Sequence, residues 1–327
     1  PHHSRLPRNG GLSGNAGVYA PRLSDPCLGE IPPPSLAQGA VRALTLNNSS
    51  PALSPWMLRR ARAAQLLDKT PHSGKILSFY VGLVGLQERV ADGVPLDDWV
   101  PLVQVRDGSA VLLAVDRLPV NELVHRFDDF LKRIAEVGTE IIMDGARSLL
   151  GADDAHRSGR LDAALTAGLT TFGLTAAEPT GFHVRAFLEP LVTTLAAAFV
   201  EAPSDEDRRQ CFACSSLPQI SVLRDRPDAV GSRSLVCSMC ATEWRFPRLT
   251  CTHCGETTAN RLPVHTAESV PHVRIDTCLT CQRYLKSVDL RLQGNAVPIV
   301  DDVATVELDL WAENQGLTKI RTNVLGF

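Results

Sequence analysis

Hydrophobic positions recur with a helical period through the middle of the chain and with an alternating one toward its end, after a polar opening stretch. Ser54 can cap a helix with Pro55 at its first position, and a helix is predicted over Trp56 to Lys69. Ile76, Phe79, Tyr80, Leu83 and Val84 then fall at the i, i+3, i+4, i+7, i+8 spacing of a buried helical stripe. Asn121 is read as the cap of another helix, with Leu123, Phe127, Phe130, Leu131 and Ile134 on one side and Gly138 at its end. Helical pattern continues over Thr139 to Leu150, Gly159 to Leu169 and Phe182 to Val200, the last with a kink or restart expected at Pro190. After a charged linker, Glu201 to Arg209, the period changes. Short runs at Gln219 to Arg224, Ser234 to Val236, Val264 to Thr266, Val273 to Ile275 and Tyr284 to Leu290 predict strands. A short helix is expected over Val303 to Asn314, capped by Asp301 or Asp302 and ended by Gly316.

The strand-rich portion carries the chemistry. Eight of the 9 cysteines form four C-x2-C pairs, Cys211/Cys214, Cys237/Cys240, Cys251/Cys254 and Cys278/Cys281. The spacing is C-x2-C-x22-C-x2-C, then x10, then C-x2-C-x23-C-x2-C, an internal repeat. Two thiolates on a tight knuckle can turn toward one point, and two knuckles supply four soft ligands for a tetrahedral metal ion, so two ions are implied. Sequential pairing of the knuckles is favoured because the 22- and 23-residue inserts suggest one unit used twice; spacing leaves an interleaved pairing open. A redox dithiol would sit between strand and helix, whereas these pairs are flanked by short strands. Four sulfur ligands leave no position for water, which argues against hydrolytic metal catalysis. Zinc and iron both accept this donor set. Binding on the order of 10 kcal/mol or more per site is folding energy, and coordination is expected to replace a hydrophobic core in the last third of the chain.

Composition narrows the function classes. At 327 residues, two or three compact units are expected, and the 44% apolar share is that of a globular protein. Aromatics, at 5%, are too few for extensive base stacking. The longest apolar runs, such as Thr194 to Val200, fall short of the roughly 20 residues of a membrane span. Pro1 to Ser35 does not read as a secretory signal, so reduced thiols are expected. Each four-thiolate site around a divalent ion carries −2, taking the formal charge from −3 to about −7 when both are filled. From Arg208 to Leu290, 11 Arg and Lys against 7 Asp and Glu become nearly neutral in the same way, which weakens a nucleic-acid reading.

Residues 1–50, rich in Pro, Gly, Ser and Asn, read as a disordered tail that includes Cys27, His2 and His3. His125 and His183 read as ordinary helix histidines, and His253 as a knuckle-tip residue beside a complete cysteine set. Trp244 and Tyr284, each close after a knuckle, are read as exposed aromatic anchors for a partner, with packing between lobes as the alternative.

The run Gly231-Ser-Arg-Ser-Leu-Val-Cys237-Ser-Met-Cys240-Ala-Thr-Glu243-Trp244, then Arg248-Leu-Thr-Cys251-Thr-His-Cys254-Gly255 and Asp276-Thr-Cys278-Leu-Thr-Cys281-Gln-Arg-Tyr284-Leu285-Lys286, resembles the FdhE family of formate dehydrogenase accessory proteins. The ending Pro298-Ile-Val-Asp301-Asp302-Val-Ala-Thr-Val-Glu-Leu308-Asp309-Leu310 is similar to that family's as well. The likeness covers Cys211 to Phe327 and is looser across the helical half, where Arg59 to Leu67 and the Ser78 to Gln87 helix fit. It implies a multidomain α+β chain: an all-helical domain over 51–204 and two tandem rubredoxin-like or zinc-ribbon metal lobes over 205–249 and 250–327, the second with a C-terminal helix. It further implies a cytoplasmic, non-catalytic accessory protein that binds the catalytic subunit of a respiratory formate dehydrogenase, holding two metal ions, zinc or iron, on the eight cysteines. The first knuckle departs from the family pattern: Ser215 stands where Gly is usual, and a left-handed turn there would make the first site the weaker one. A zinc-ribbon nucleic-acid regulator and a rubredoxin-like iron electron carrier are the alternatives.

Overall fold

The computed structural model describes residues 54–67, 69, 73–107, 110–166, 180–199 and 208–327. The tail expected over 1–50, and most of the linker before Arg208, lie outside the described residues. Helices come first: α1 (Pro55–Leu67), α2 (Gly74–Asp92), α3 (Leu96–Val103), α4 (Val120–Val137), α5 (Glu140–Gly151), α6 (Asp154–Thr166) and α7 (Gly181–Phe199). Ser54 caps α1 as its sequence suggests, its Oγ accepting the Met57 N–H at 3.1 Å. In α2 the buried stripe is Leu77, Tyr80, Leu83, Val84, Leu86, Gln87 and Ala91, with the expected Ile76 and Phe79 at its edge. Asn121 does not cap α4. The cap position is Pro119, and Asn121 lies in the first turn with no capping bond.

Helix α7 is buried on every side from Gly181 to Val192, its His183, Arg185 and Glu189 included, and α2 to α6 pack against it. Pro190 lies within one helix rather than dividing two. His183 is a fully buried α7 side chain whose Nε2 lies 2.8 Å from the Ile142 carbonyl of α5, and burial lowers its pKa, so the neutral ring donates there. Gly145 of α5 makes room for it, since a Cβ there would lie 2.5 Å from His183 Cε1. Gly145→Ala is therefore expected to lose stability although alanine is the better helix former by about 1 kcal/mol. The overpacked ring costs about 1–3 kcal/mol, and a lowered denaturant midpoint would show it; an unchanged or raised midpoint would contradict this packing.

The helical part also holds a hairpin that the periodicity did not reveal, β1 (Gln104–Asp107) paired antiparallel with β2 (Ala110–Leu113). Beyond it come β3 (Pro218–Arg226), β4 (Ala229–Cys237), β5 (Glu243–Arg245), β6 (Val264–Thr266), β7 (Val273–Cys278), β8 (Arg283–Asp289), helices α8 (Pro298–Ala304) and α9 (Val306–Asn314), and β9 (Thr318–Lys319). These strands form one sheet in the order β5-β4-β3-β8-β7-β6, with β9 on β8. Two antiparallel hairpins, β3–β4 and β7–β8, are fused by a parallel pairing of β3 with β8, from Ile220↔Lys286 to Leu223↔Asp289. The repeated unit in the cysteine spacing is a three-strand meander, β3-β4-β5 and β6-β7-β8, whose inserts between knuckles form the hairpins β3–β4 and β6–β7, and the two copies meet at the β3–β8 ladder.

The sheet-rich part has an apolar core of its own, which corrects the expectation that coordination stands in for one. Ile220, Val222, Val236, Val273, Ile275, Tyr284 and Val288 of the sheet pack on Ile299, Leu308 and Ala312 of α8 and α9. The opposite side of α8, Val300, Val303 and Ala304, joins the helical core together with Cys211, Cys214, Cys237 and Cys240. Asp301 and Asp302 are not caps; they lie inside α8 and are buried. Asp301 takes Arg62 of α1 in a two-pronged bond, 2.6 and 3.0 Å, and approaches His272 Nε2 at 2.9 Å. Gly316, at φ +76°, terminates α9 in the left-handed turn its residue type suggests.

Candidate metal centres

Each C-x2-C pair occupies a tight turn leaving a strand or loop. In three of the knuckles the residue after the second cysteine returns its N–H to the carbonyl of the first: Ser215 to Cys211 at 2.9 Å, Gly255 to Cys251 at 3.1 Å and Gln282 to Cys278 at 2.9 Å. That residue has positive φ in all four, +59° at Ser215, +55° at Ala241, +83° at Gly255 and +55° at Gln282. Only Gly255 adopts it without strain. The left-handed turn inferred at Ser215 is present, and with Ala241 it gives the first site two non-glycine residues in that conformation against one, Gln282, in the second.

The knuckles converge in sequential order. Cys211, Cys214, Cys237 and Cys240 form one cluster and Cys251, Cys254, Cys278 and Cys281 another, with the sulfurs of each within 4.8 Å of one another. In the first, Cys211–Cys240, Cys214–Cys237 and Cys214–Cys240 are separated by 3.5, 3.4 and 3.5 Å; in the second, Cys251–Cys281 and Cys254–Cys278 by 3.8 and 3.6 Å. A disulfide would require about 2.05 Å. A tetrahedron of sulfurs about 2.3 Å from a central zinc has edges of about 3.8 Å, so the spacing fits a shared ion.

Electrostatics agree with that fit. In the first cluster, hydrogen bonds from Cys211, Cys237 and Cys240 hold the Cys214 thiol well below its ordinary pKa, while burial pushes Cys237 and Cys240 well above theirs. One thiolate is comfortable among buried sulfurs and four are not, unless a cation sits between them. In the second, burial raises Cys251 and Cys281; at Cys278 burial is opposed and outweighed by peptide N–H groups of Cys281 and Thr280. Peptide donors reach the sulfurs as well: Met239 N and Cys240 N to Cys237 Sγ at 3.4 and 3.5 Å, and His253 N to Cys251 Sγ at 3.4 Å. His253 contributes this N–H, and its ring belongs to neither donor set.

The two clusters differ in their surroundings. The first is enclosed. Arg185 of α7, itself 1% exposed, donates to the Ser238 carbonyl at 3.1 Å and to the Asn323 carbonyl at 2.8 Å, and Thr193 of α7 reaches Met239 O at 3.3 Å. The Leu113 N–H of β2 donates to Ala213 O at 2.8 Å. The second cluster lies at the surface, with Cys254 exposed and Cys281 half-buried. A cleft of about 710 Å³ opens between the first knuckles of the two clusters, lined by Arg208, Arg209, Cys211, Phe212, Thr252 and His253 among others.

Trp244 and Tyr284 are not exposed anchors. Trp244 is 3% exposed, its Nε1 donating to Arg208 O at 2.7 Å, and Tyr284 is 1% exposed, its hydroxyl donating to Asp309 at 2.9 Å. Trp244 is the buried middle residue of β5, and Tyr284 lies in β8, an interior strand of the sheet buried from Tyr284 to Asp289.

A group that sequence reasoning missed lies beneath the sheet. Lys286 Nζ is 2.8 Å from Asp302 Oδ1 and 2.6 Å from Asp309 Oδ2, and Lys319 Nζ is 2.8 Å from Asp302 Oδ1 and 3.1 Å from Asp309 Oδ1. Thr305 and the Asp302 carbonyl complete the Lys286 shell. A trace of it was present: Asp302, Thr305 and Asp309 fall at i, i+3, i+7 among Val303, Val306 and Leu308, although Asp301 and Glu307 in the same run blur the stripe.

The "FdhE, central domain" family model matches residues 210–248 and the "FdhE, C-terminal domain" model matches residues 249–325. A Protein FdhE homolog of Aquifex aeolicus is 35% identical over 146 residues, 45% of this chain and 52% of that protein, so this alignment spans about half of the relative. One of Stutzerimonas stutzeri is 28% identical over 285 residues, 83% of this chain and 88% of its own length. The crystal structure of the FdhE protein from Pseudomonas aeruginosa superposes with a TM-score of 0.63 at 24% identity, over 84% of this chain and 96% of that one, a likeness of fold. With both domain models matching in consecutive order over both cysteine clusters, residues 210–325 are the central and C-terminal domains of the FdhE family.

Proposed function

We propose that this protein is a non-catalytic accessory factor for a respiratory formate dehydrogenase, binding its catalytic subunit in the cytoplasm during assembly or activation, with one zinc or iron ion on each four-cysteine cluster. The observation that carries the reading is the pair of four-sulfur clusters on one continuous sheet within the two FdhE domains. Cys211, Cys214, Cys237 and Cys240 would hold the first ion and Cys251, Cys254, Cys278 and Cys281 the second. A bound ion supplies a cross-link between knuckles and, if it is iron, a one-electron couple. The residues do the rest. Peptide N–H groups and the buried Arg185 offset thiolate charge, and the packing of α7 and α8 on the sheet makes helices and clusters a single body.

An electron-carrying version is favoured by the exposure of Cys254, which would bring an iron site within reach of a docked client. Metal analysis of chain recovered from its native cell, by affinity capture under reducing conditions, tests both. The expected result is two ions per chain together with a formate dehydrogenase catalytic subunit. Colourless, zinc-loaded protein supports scaffolding and iron–thiolate absorption supports the electron carrier, while capture without that subunit sinks the assignment of the client.

A further inference from the structure

We infer that the two centres divide their labour: the first is permanent, and the second, on Cys251, Cys254, Cys278 and Cys281, is an exchange site at which an external thiolate takes the place of Cys254. This rests on the proposed occupancy of both clusters by metal and goes beyond it. In the first cluster the four cysteines are 2%, 8%, 1% and 3% exposed. These cysteines are part of the same core as α2, α4 and α7, and Cys211 alone of the four borders the cleft toward the second cluster, so an incoming ligand meets Cys214, Cys237 and Cys240 only after that core opens. Cys254, in contrast, is exposed, and Cys281 is half-buried.

The bonds that hold the knuckle tips differ in the same sense. Those at Ser238 and Met239 come from buried side chains of α7. The second cluster is held by contacts at the surface: Arg209 to His253 O at 2.8 Å, Arg261 to Leu279 O at 3.3 Å and to Thr280 Oγ1 at 2.7 Å, and the Thr280 hydroxyl to Glu256 at 2.5 Å. Surface hydrogen bonds open locally at far lower cost than a packed core, so the second cluster occupies the low-stability end of the molecule.

The exchange conserves charge and electrons. The arriving thiolate donates a sulfur lone pair to the ion as the Cys254 sulfur withdraws its own, and the freed Cys254 thiolate takes a proton from solvent. Nothing is oxidised or reduced. Cys251 and Cys278, both buried, keep their positions, so the ion stays tethered while one coordination position turns over. A partner presenting a free thiolate is the class of ligand this arrangement would accept.

The test uses the full chain reconstituted with zinc, challenged with EDTA and N-ethylmaleimide and followed by native mass spectrometry and peptide mapping. We expect a one-zinc species to accumulate, with label on Cys254 and Cys281 appearing at least about tenfold faster than on any cysteine of the first cluster, as local opening would allow. Simultaneous loss of both ions, or earlier labelling of Cys211, Cys214, Cys237 or Cys240, would overturn the inference. Cys254→Ser should give folded protein with one tightly held zinc; a variant that unfolds would make the second centre as structural as the first and count against it. A chain that takes up no zinc before the challenge defeats the metal reading itself, a result distinct from two ions leaving together.

Discussion

Cys237→Ser is expected to yield a chain that does not fold cooperatively, whereas Cys281→Ser yields a folded protein with a lower melting temperature. Cys237 ends β4, is 1% exposed, and touches Cys214 in a cluster that belongs to the same core as α2, α4 and α7. Its knuckle is the surface on which Arg185 and Thr193 are satisfied. Loss of the first centre removes metal-binding free energy on the order of 10 kcal/mol, comparable with the whole net stability of a domain, about 5–15 kcal/mol. It also leaves the Arg185 guanidinium buried beside carbonyls whose positions are no longer fixed. At Cys281 the same chemistry is lost at the surface, where water can take up a coordination position and the core beneath the sheet persists. Far-UV circular dichroism melts with metal counts would separate the two, and a cooperative, two-ion Cys237→Ser protein would contradict this account.

The legibility of the molecule followed the length scale of each signal. The cysteine array is a local signal, and it placed all eight sulfurs. Helices α1, α2, α4 and α5 were legible because each has one buried stripe and one wet face, the condition under which periodicity reports structure. Helix α7 was located, and of the two outcomes offered at Pro190 the restart does not occur: one helix runs through it, because a helix buried all round is held by its neighbours and tolerates a missing N–H. Strand β5, only Glu243–Arg245, is too short to show alternation. The parallel β3–β8 pairing could not be read at all, since it joins residues 66 positions apart, such as Ser221 and Ser287, whose hydroxyls meet across the ladder. Asp302 was read as a possible helix cap and Asp309 was given no role; their lysine partners come from strands β8 and β9, which only the fold brings beneath α8 and α9.

Those acids set the second large expectation: Lys286→Met should cost about 3–5 kcal/mol, the range for breaking a buried ion pair by removing one partner. Lys286, Asp302 and Asp309 are all at most 1% exposed on their side chains, and with Lys319 the four charges cancel. Methionine matches the lysine stem but leaves two carboxylates facing one ammonium where no water compensates. Burial alone would lower the Lys286 pKa, yet Asp302 and Asp309 more than offset it and raise it; burial alone would raise Asp302, yet Lys286 and Lys319 hold it below the usual carboxylate value. The Asp302 contribution is therefore present above the unfolded carboxylate pKa of about 3.9 and is lost as pH falls through the lower folded value. The Lys286 contribution is present below about 10.4 and is lost as pH rises through the higher folded value, so the intact cluster leaves stability flat between these limits. In Lys286→Met the excess carboxylate is the one that prefers a proton, so the deficit should shrink as pH is lowered toward 5. Asp309→Asn added to Lys286→Met restores the charge balance and should recover much of the loss, a coupling that denaturant titration of the four members of the cycle would measure. Additive losses, or a deficit independent of pH, would mean that Lys286 acts through packing, and the cluster would then be a filler of the space between sheet and helices rather than the charged joint that fixes α8 against β8.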